Sequence, residues 1–122
     1  MKDFHKLKVW EKAHKLTLLI YLLTRKFPKD ELYGLTSQMR RASSSIPTNI
    51  AEGCGHNSQA EFNRFLHLAM GSSSELEYQL ILTHDLEYMD DEMYLILSTE
   101  LNEVRRMLNS LIQKVKRDGE IL

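Results

Sequence analysis

Leu32, Leu35, Met39, Ala42 and Ile46 advance by 3, 4, 3 and 4, and the same step continued lands on Asn49 and Gly53. The stripe therefore keeps helical phase across Pro47, which a loop of arbitrary geometry would not do. Proline inside a helix lacks the N–H that would reach four residues back, here to the Ser43 carbonyl, and clashes there at a cost of about 3 kcal/mol. One second helix is expected, kinked at Pro47 and stopped by Gly53-Cys54-Gly55. A helix–turn–helix break at Ser45–Pro47 is the rival reading. Ser43, Ser44 and Ser45 are placed to satisfy disturbed carbonyls. Being small, and matched by Gly71-Ser72-Ser73-Ser74 further on, they also let a neighbouring helix approach closely.

Three more stripes share that period. Val9, Ala13, Leu16, Ile20, Leu23 and Phe27 form the first, ended by Pro28. Phe62, Leu66, Ala69, Ser73, Leu76 and Leu80 form the third, opened by the capping box Ser58-Gln59-Ala60-Glu61. Leu97, Leu101, Val104, Leu108, Leu111 and Val115 form the fourth, with Asp90, Asp91 and Glu92 at its positive end. No segment alternates with a strand's period of two. The expectation is an all-α fold, a single domain over 1–122: an antiparallel up-down-up-down four-helix bundle. Both termini and the 54–57 loop then lie at one end, and the 28–34 and 87–90 connections at the other.

A monomeric bundle is polar opposite its seam, and this one is not. Leu18 and Leu22 lie about 160–180° from the first stripe, with Leu19 flanking them. Leu68, Leu82 and Leu86 fall off the third. Such a second apolar face marks an oligomer interface, unless the buried stripe is simply wider.

Charge is informative by placement, since the net value is only −1. Residues 1–29 hold eight Lys and Arg against two acids, residues 105–117 hold five against none, and residues 75–103 hold nine acids and no Lys or Arg. In the bundle, Lys2, Lys6, Lys8 and Lys12 gather with Lys114, Lys116 and Arg117 at one end. A basic end of this kind engages phosphates, or else is an ordinary solvated set of helix ends.

Catalytic chemistry finds little support. The serine run has no Ser-x-x-Lys and no Gly-x-Ser-x-Gly around it. Glu11-x-x-His14 matches half of a di-iron bundle motif, but there is no second copy and both residues face away from the seam. His67 and His84 are 17 residues apart on one helix. No cofactor, metal or small-molecule substrate is expected. The lone Cys54 suits a reducing compartment. The charged N-terminus and a longest apolar run of only residues 16–23 argue against a signal peptide or membrane span, so a cytoplasmic protein is expected.

The run 27–42, Phe-Pro-Lys-Asp-Glu-Leu-Tyr-Gly-Leu-Thr-Ser-Gln-Met-Arg-Arg-Ala, followed by Ser45-Ile46-Pro47-Thr48-Asn49-Ile50-Ala51-Glu52-Gly53, resembles the 23S rRNA intervening-sequence proteins. Glu61-Phe62, Phe65-Leu66, Gly71-Ser72 and Glu75-Leu76-Glu77 fit as well. The resemblance implies a bacterial, ribosomal-protein-like four-helix bundle that assembles as a homopentameric ring. A related bundle, the accessory variability protein of diversity-generating retroelements, works with a reverse transcriptase and nucleic acid. The resemblance makes Arg40, Arg41, Pro47, Asn49, Glu52 and Gly53 a signature segment and assigns them no catalysis. Arg40 or Arg41 is expected to approach Glu75, and Asn49 to need partners if buried. The nucleic-acid-linked relatives are strongly basic, whereas this chain has a pI near 6.5. The function expected is a non-enzymatic ring-forming scaffold whose basic end engages RNA, DNA or a nucleoprotein. The alternative is a protein-only adaptor, and a metal-dependent bundle enzyme ranks third.

Overall fold

A computed structural model describes residues 2–121, the backbone alone at Glu120 and Ile121. Four α-helices and two 3-10 turns make up the described residues: a turn at Phe4–Lys6, α1 at Lys8–Thr24, a turn at Lys29–Glu31, α2 at Leu35–Cys54, α3 at Gln59–Asp85 and α4 at Asp91–Ile121. They form a four-helix bundle in which α1 packs on α2 and α4, and α3 packs on the same two. One cluster of buried apolar side chains fills the centre.

The inward stripes are largely as the periodicity predicts, with four differences. Ile50 is fully buried in α2 where the step lands on Asn49, which is half-buried. Ile112 is buried in α4 and Leu111 only half-buried, because the stripe steps 97, 101, 104, 108, 112, 115. Leu32 is exposed, since it caps the short Lys29–Glu31 turn and lies outside α2. Helix α1 stops at Thr24, not at Pro28. There the Thr24 hydroxyl donates back to the Ile20 carbonyl at 2.8 Å, and Lys26 and Phe27 close three-residue turns that keep Phe27 buried.

Helix α2 runs unbroken through Pro47, so the helix–turn–helix break is excluded. The Ser43 carbonyl that proline orphans accepts the Thr17 hydroxyl of α1 at 3.0 Å, in a buried position. The serines behave locally: Ser43 and Ser44 bond the carbonyls of Arg40 and Arg41. Gly53 lies inside α2, and Gly55 caps it with ordinary right-handed geometry. Gly53 acts through contact. A Cβ there would sit 2.9 Å from the Phe65 Cβ and 3.1 Å from the Phe62 Cδ1, so only glycine lets α3 come this close.

The helix ends explain the connections. Ser58 Oγ accepts the Glu61 N–H at 3.0 Å, while the Glu61 carboxylate turns to Arg64, leaving the capping box half formed. Asp90 caps α4 through the Met93 N–H at 2.8 Å. Gly34 has no side chain to cap α2, and Glu31 does so from the preceding turn, one oxygen on the Leu35 N–H and the other on the Tyr88 hydroxyl at 2.9 Å. Glu87 has φ 64°, the left-handed position that closes α3, with the Tyr88 N–H reaching back to the Thr83 carbonyl. The Lys2 N–H bonds the Cys54 carbonyl at 2.8 Å, tying the N-terminal segment to the end of α2.

Candidate nucleic-acid and assembly surfaces

The end bearing the 54–57 loop collects several of the expected cations. Lys2 and Lys114 line one cleft of about 180 Å³ with Leu7, Gln59, Phe62, Leu111, Val115 and the acid Asp118. The Lys2 ammonium stands 4.6 Å over the Phe62 ring, a cation–π contact that fixes it there. Gln59 Oε1 is buried with no hydrogen-bond partner, as is Asn63 Oδ1 one turn along α3. Lys6, Lys8, Lys116 and Arg117 are exposed.

Lys12 does not belong to that end's free charge. Its ammonium bridges Glu103 at 3.0 Å and Glu100 at 3.2 Å on α4, and those bonds, Glu103 first, hold its pKa above the ordinary lysine value. Glu11 pairs with Lys15, and His14 lies flat on Trp10 with the planes 7° apart. Among the described residues no group of three His, Cys, Asp or Glu is arranged to hold a metal. Phe4 and Trp10 join His5 and His14 in a run of ring contacts along the α1–α2 groove beside Pro47.

The signature segment divides by direction. Arg40 turns toward α1: its Nε donates to the Thr24 hydroxyl at 2.9 Å and its guanidinium lies 4.8 Å over the Tyr21 ring. Arg41 and Glu52 are exposed. Glu75 accepts the Gln79 amide, and no ion pair joins either arginine to it among the described residues. The expected approach is not made because Arg40 is drawn to the α1 side while Glu75 lies along α3. Asn49 is half-buried and donates to the Ser45 carbonyl and hydroxyl at 2.8 and 3.0 Å. Ser72 of α3 donates to that same hydroxyl at 2.9 Å, completing a polar stitch between α2 and α3.

Of the leucines expected on a second face, Leu18 and Leu22 are about half exposed (51% and 52%), Leu68 and Leu86 exposed, and Leu19 and Leu82 half-buried. They form separate patches, because α1 and α3 stand diagonally in the bundle. Sequence reasoning missed the exposed Tyr78 and Ile81 of α3 and Leu95 of α4. The signal was present: all three stand off the inward stripes of α3 and α4.

Cysteine chemistry is absent from these surfaces. Cys54 is buried, and burial pushes its thiol above the ordinary value.

What the fold and these surfaces define is a small helical bundle with charged, partly apolar outer faces. The profile of the 23S rRNA-intervening sequence proteins matches residues 5–110, and the chain belongs to that family. Among solved structures it is similar to a protein of unknown function from the S23 ribosomal protein family of Bacteroides thetaiotaomicron. The TM-score is 0.80 and the identity 28%, over 85% of this chain and 97% of that one. No curated protein matches the chain.

Proposed function

We propose that the protein is a non-enzymatic, ring-forming helical scaffold, a homopentamer, whose basic end engages nucleic acid in the cytoplasm. In this reading α2 bends at Pro47, where the hydrogen bond is missing, and neighbouring helices run antiparallel. The antiparallel order is supported by contacts that run in opposite numerical directions: Thr17 to Ser43 and Thr24 to Arg40, then Ser45 to Ser72 and Met39 to Thr83.

The observation that carries the nucleic-acid reading is the cleft that Lys2 and Lys114 line together, two cations against the single acid Asp118. Two ammonium groups that outnumber the one carboxylate beside them suit a phosphate. Lys6, Lys116 and Arg117 extend the same charge, and repetition around a ring would multiply it.

Light scattering followed by titration with single-stranded RNA tests both parts. With about four phosphate contacts per copy, affinity falls about fifty-fold between roughly 50 and 200 mM salt. Substituting Lys114, Lys116 and Arg117 together by Glu removes most of that dependence. A discrete oligomer indifferent to RNA at low salt overturns the nucleic-acid reading and leaves a protein-only adaptor, which the exposed apolar groups at the acidic end would serve.

A further inference from the structure

Arg40 is held in place yet lacks the partner its geometry calls for. Thr24 donates its own proton to the Ile20 carbonyl, so toward Arg40 it acts only as acceptor, and Tyr21 supports the guanidinium face. These contacts use Nε and the π-face, and among the described residues nothing bonds the two terminal nitrogens, the pair that receives a carboxylate in a fork. They border a groove of about 350 Å³ that also holds Arg25 and Lys29 over an apolar floor of Phe27, Pro28 and the exposed Leu32. No acid lines this groove.

The opposite side of the bundle carries the complement. Helix α1 packs on α2 and α4, and α3 packs on the same two, so the α1–α2 and α3–α4 grooves face away from each other. Away from the Arg40 groove, α3 exposes Tyr78 (62%), Ile81 (43%) and, at its last position, Asp85, and α4 exposes Leu95 (67%); Asp85 borders a cleft with Glu87, Asp90 and Asp91 and makes no ion pair or hydrogen bond among the described residues. The Thr83 hydroxyl lies 3.3 Å from Met39 Sδ, and Arg40 bonds Thr24. Arg25, Arg40 and Asp85 therefore stand within about two helical turns of one height along the bundle.

We propose that a second copy completes the Arg40 groove: its Asp85 carboxylate is received by Arg40 and Arg25, while its Tyr78, Ile81 and Leu95 cover Leu32 and the Phe27–Pro28 floor. The inference rests on the oligomer reading above and specifies which surfaces meet. Two different faces at equal height on opposite sides make a heterologous contact, which closes into a ring when copies stand side by side. Tyrosine and arginine over a desolvated apolar floor are the residue types that dominate such interfaces. A polyanion is a poor occupant, because Asp30, Glu31, Asp85, Glu87, Asp90 and Asp91 crowd this end.

Sedimentation velocity across a concentration series tests the placement. The wild type is expected to sediment as a discrete oligomer. Arg40→Glu and Asp85→Arg each shift the assembly to monomer, weakening association at least a hundredfold. Mixing the two variants restores species above the monomer, because each supplies the face the other lacks. The chain carrying both changes regains the wild-type mass. Asp85 has no partner among the described residues, so Asp85→Arg keeps its helical circular dichroism and the test stays open if Arg40→Glu misfolds. A monomeric wild type overturns the oligomer reading itself. An oligomer unmoved by Asp85→Arg and by Arg25→Glu leaves oligomerisation standing, overturns this placement, and returns the groove to some other carboxylate-bearing protein.

Discussion

Replacing Thr17 by valine removes one hydroxyl and almost no volume, and should unsettle α2 from a residue on another helix. The Thr17 hydroxyl oxygen lies 2.9 Å from the Ala13 carbonyl oxygen and 3.0 Å from that of Ser43, and its proton is shared between them. Within an α-helix the Ala13 carbonyl already has the Thr17 backbone N–H. The Ser43 carbonyl has no such donor, because the residue four positions on is Pro47. Thr17→Val therefore strands a fully buried acceptor, at a cost of about 2 kcal/mol. For a chain of this length that lowers Tm by about 8 °C. A double-mutant cycle isolates the cause. In a Pro47→Ala background the new backbone N–H fills the Ser43 carbonyl, and Thr17→Val should cost less than about 0.5 kcal/mol. The coupling, read from urea unfolding at one fixed protein concentration, is then about 1.5 kcal/mol. A coupling below about 0.5 kcal/mol, the range in which independent sites simply add, refutes the reasoning.

Two further outcomes follow from burial at the end of α2. Gly53→Ala gains about 1 kcal/mol of helix propensity but sets a methyl against the Phe65 Cβ, which moves only with the α3 backbone. Overpacking costs about 1–3 kcal/mol, so a lower thermal midpoint is expected and a higher one would count against the close approach. The Cys54 thiol, raised above its ordinary 9.0 by burial, favours the folded state while it stays protonated. That contribution is complete below about pH 9 and is lost as pH rises through the folded value. Urea midpoints should thus hold level to about pH 8.5 and fall beyond it, more steeply than in Cys54→Ala, and equal slopes would remove Cys54 from the account.

The inward stripes were legible because burial in a bundle has the helix's own period, and even Pro47 did not disturb the phase. Leu111 and Ile112 show where periodicity gives out. Both are apolar and 100° apart, and over the 31 residues of α4 the stripe drifts, so neighbour geometry decides which one turns inward. The partner of the Ser43 carbonyl was not legible, since Thr17 is 26 residues away and its spacing relates only to its own helix. Adjacent arginines point in directions a third of a turn apart, and sequence alone does not say that Arg40 is the one drawn to Tyr21 and Thr24. Lys12 misled for a related reason. Counting charge by segment assigned it to a basic end, while the fold spends it on Glu100 and Glu103 across the α1–α4 contact.

That distinction between charge present and charge left over separates structure from function in the signature segment. Pro47 is answered by Thr17, Asn49 and Ser45 by Ser72, and Gly53 by the two phenylalanines beneath it. These residues join α2 to both its neighbours. A recognition surface needs groups whose hydrogen bonds or charges the fold itself does not satisfy. Among the described residues such groups include the terminal nitrogens of Arg40, the carboxylate of Asp85 and the ammonium of Lys114. They fall at two ends of the bundle, and under the proposed function one end receives a carboxylate and the other a phosphate. A scaffold that joins its own copies at one end and holds a polyanion at the other requires that separation, because polyanion and self-contact would otherwise compete for the same arginines.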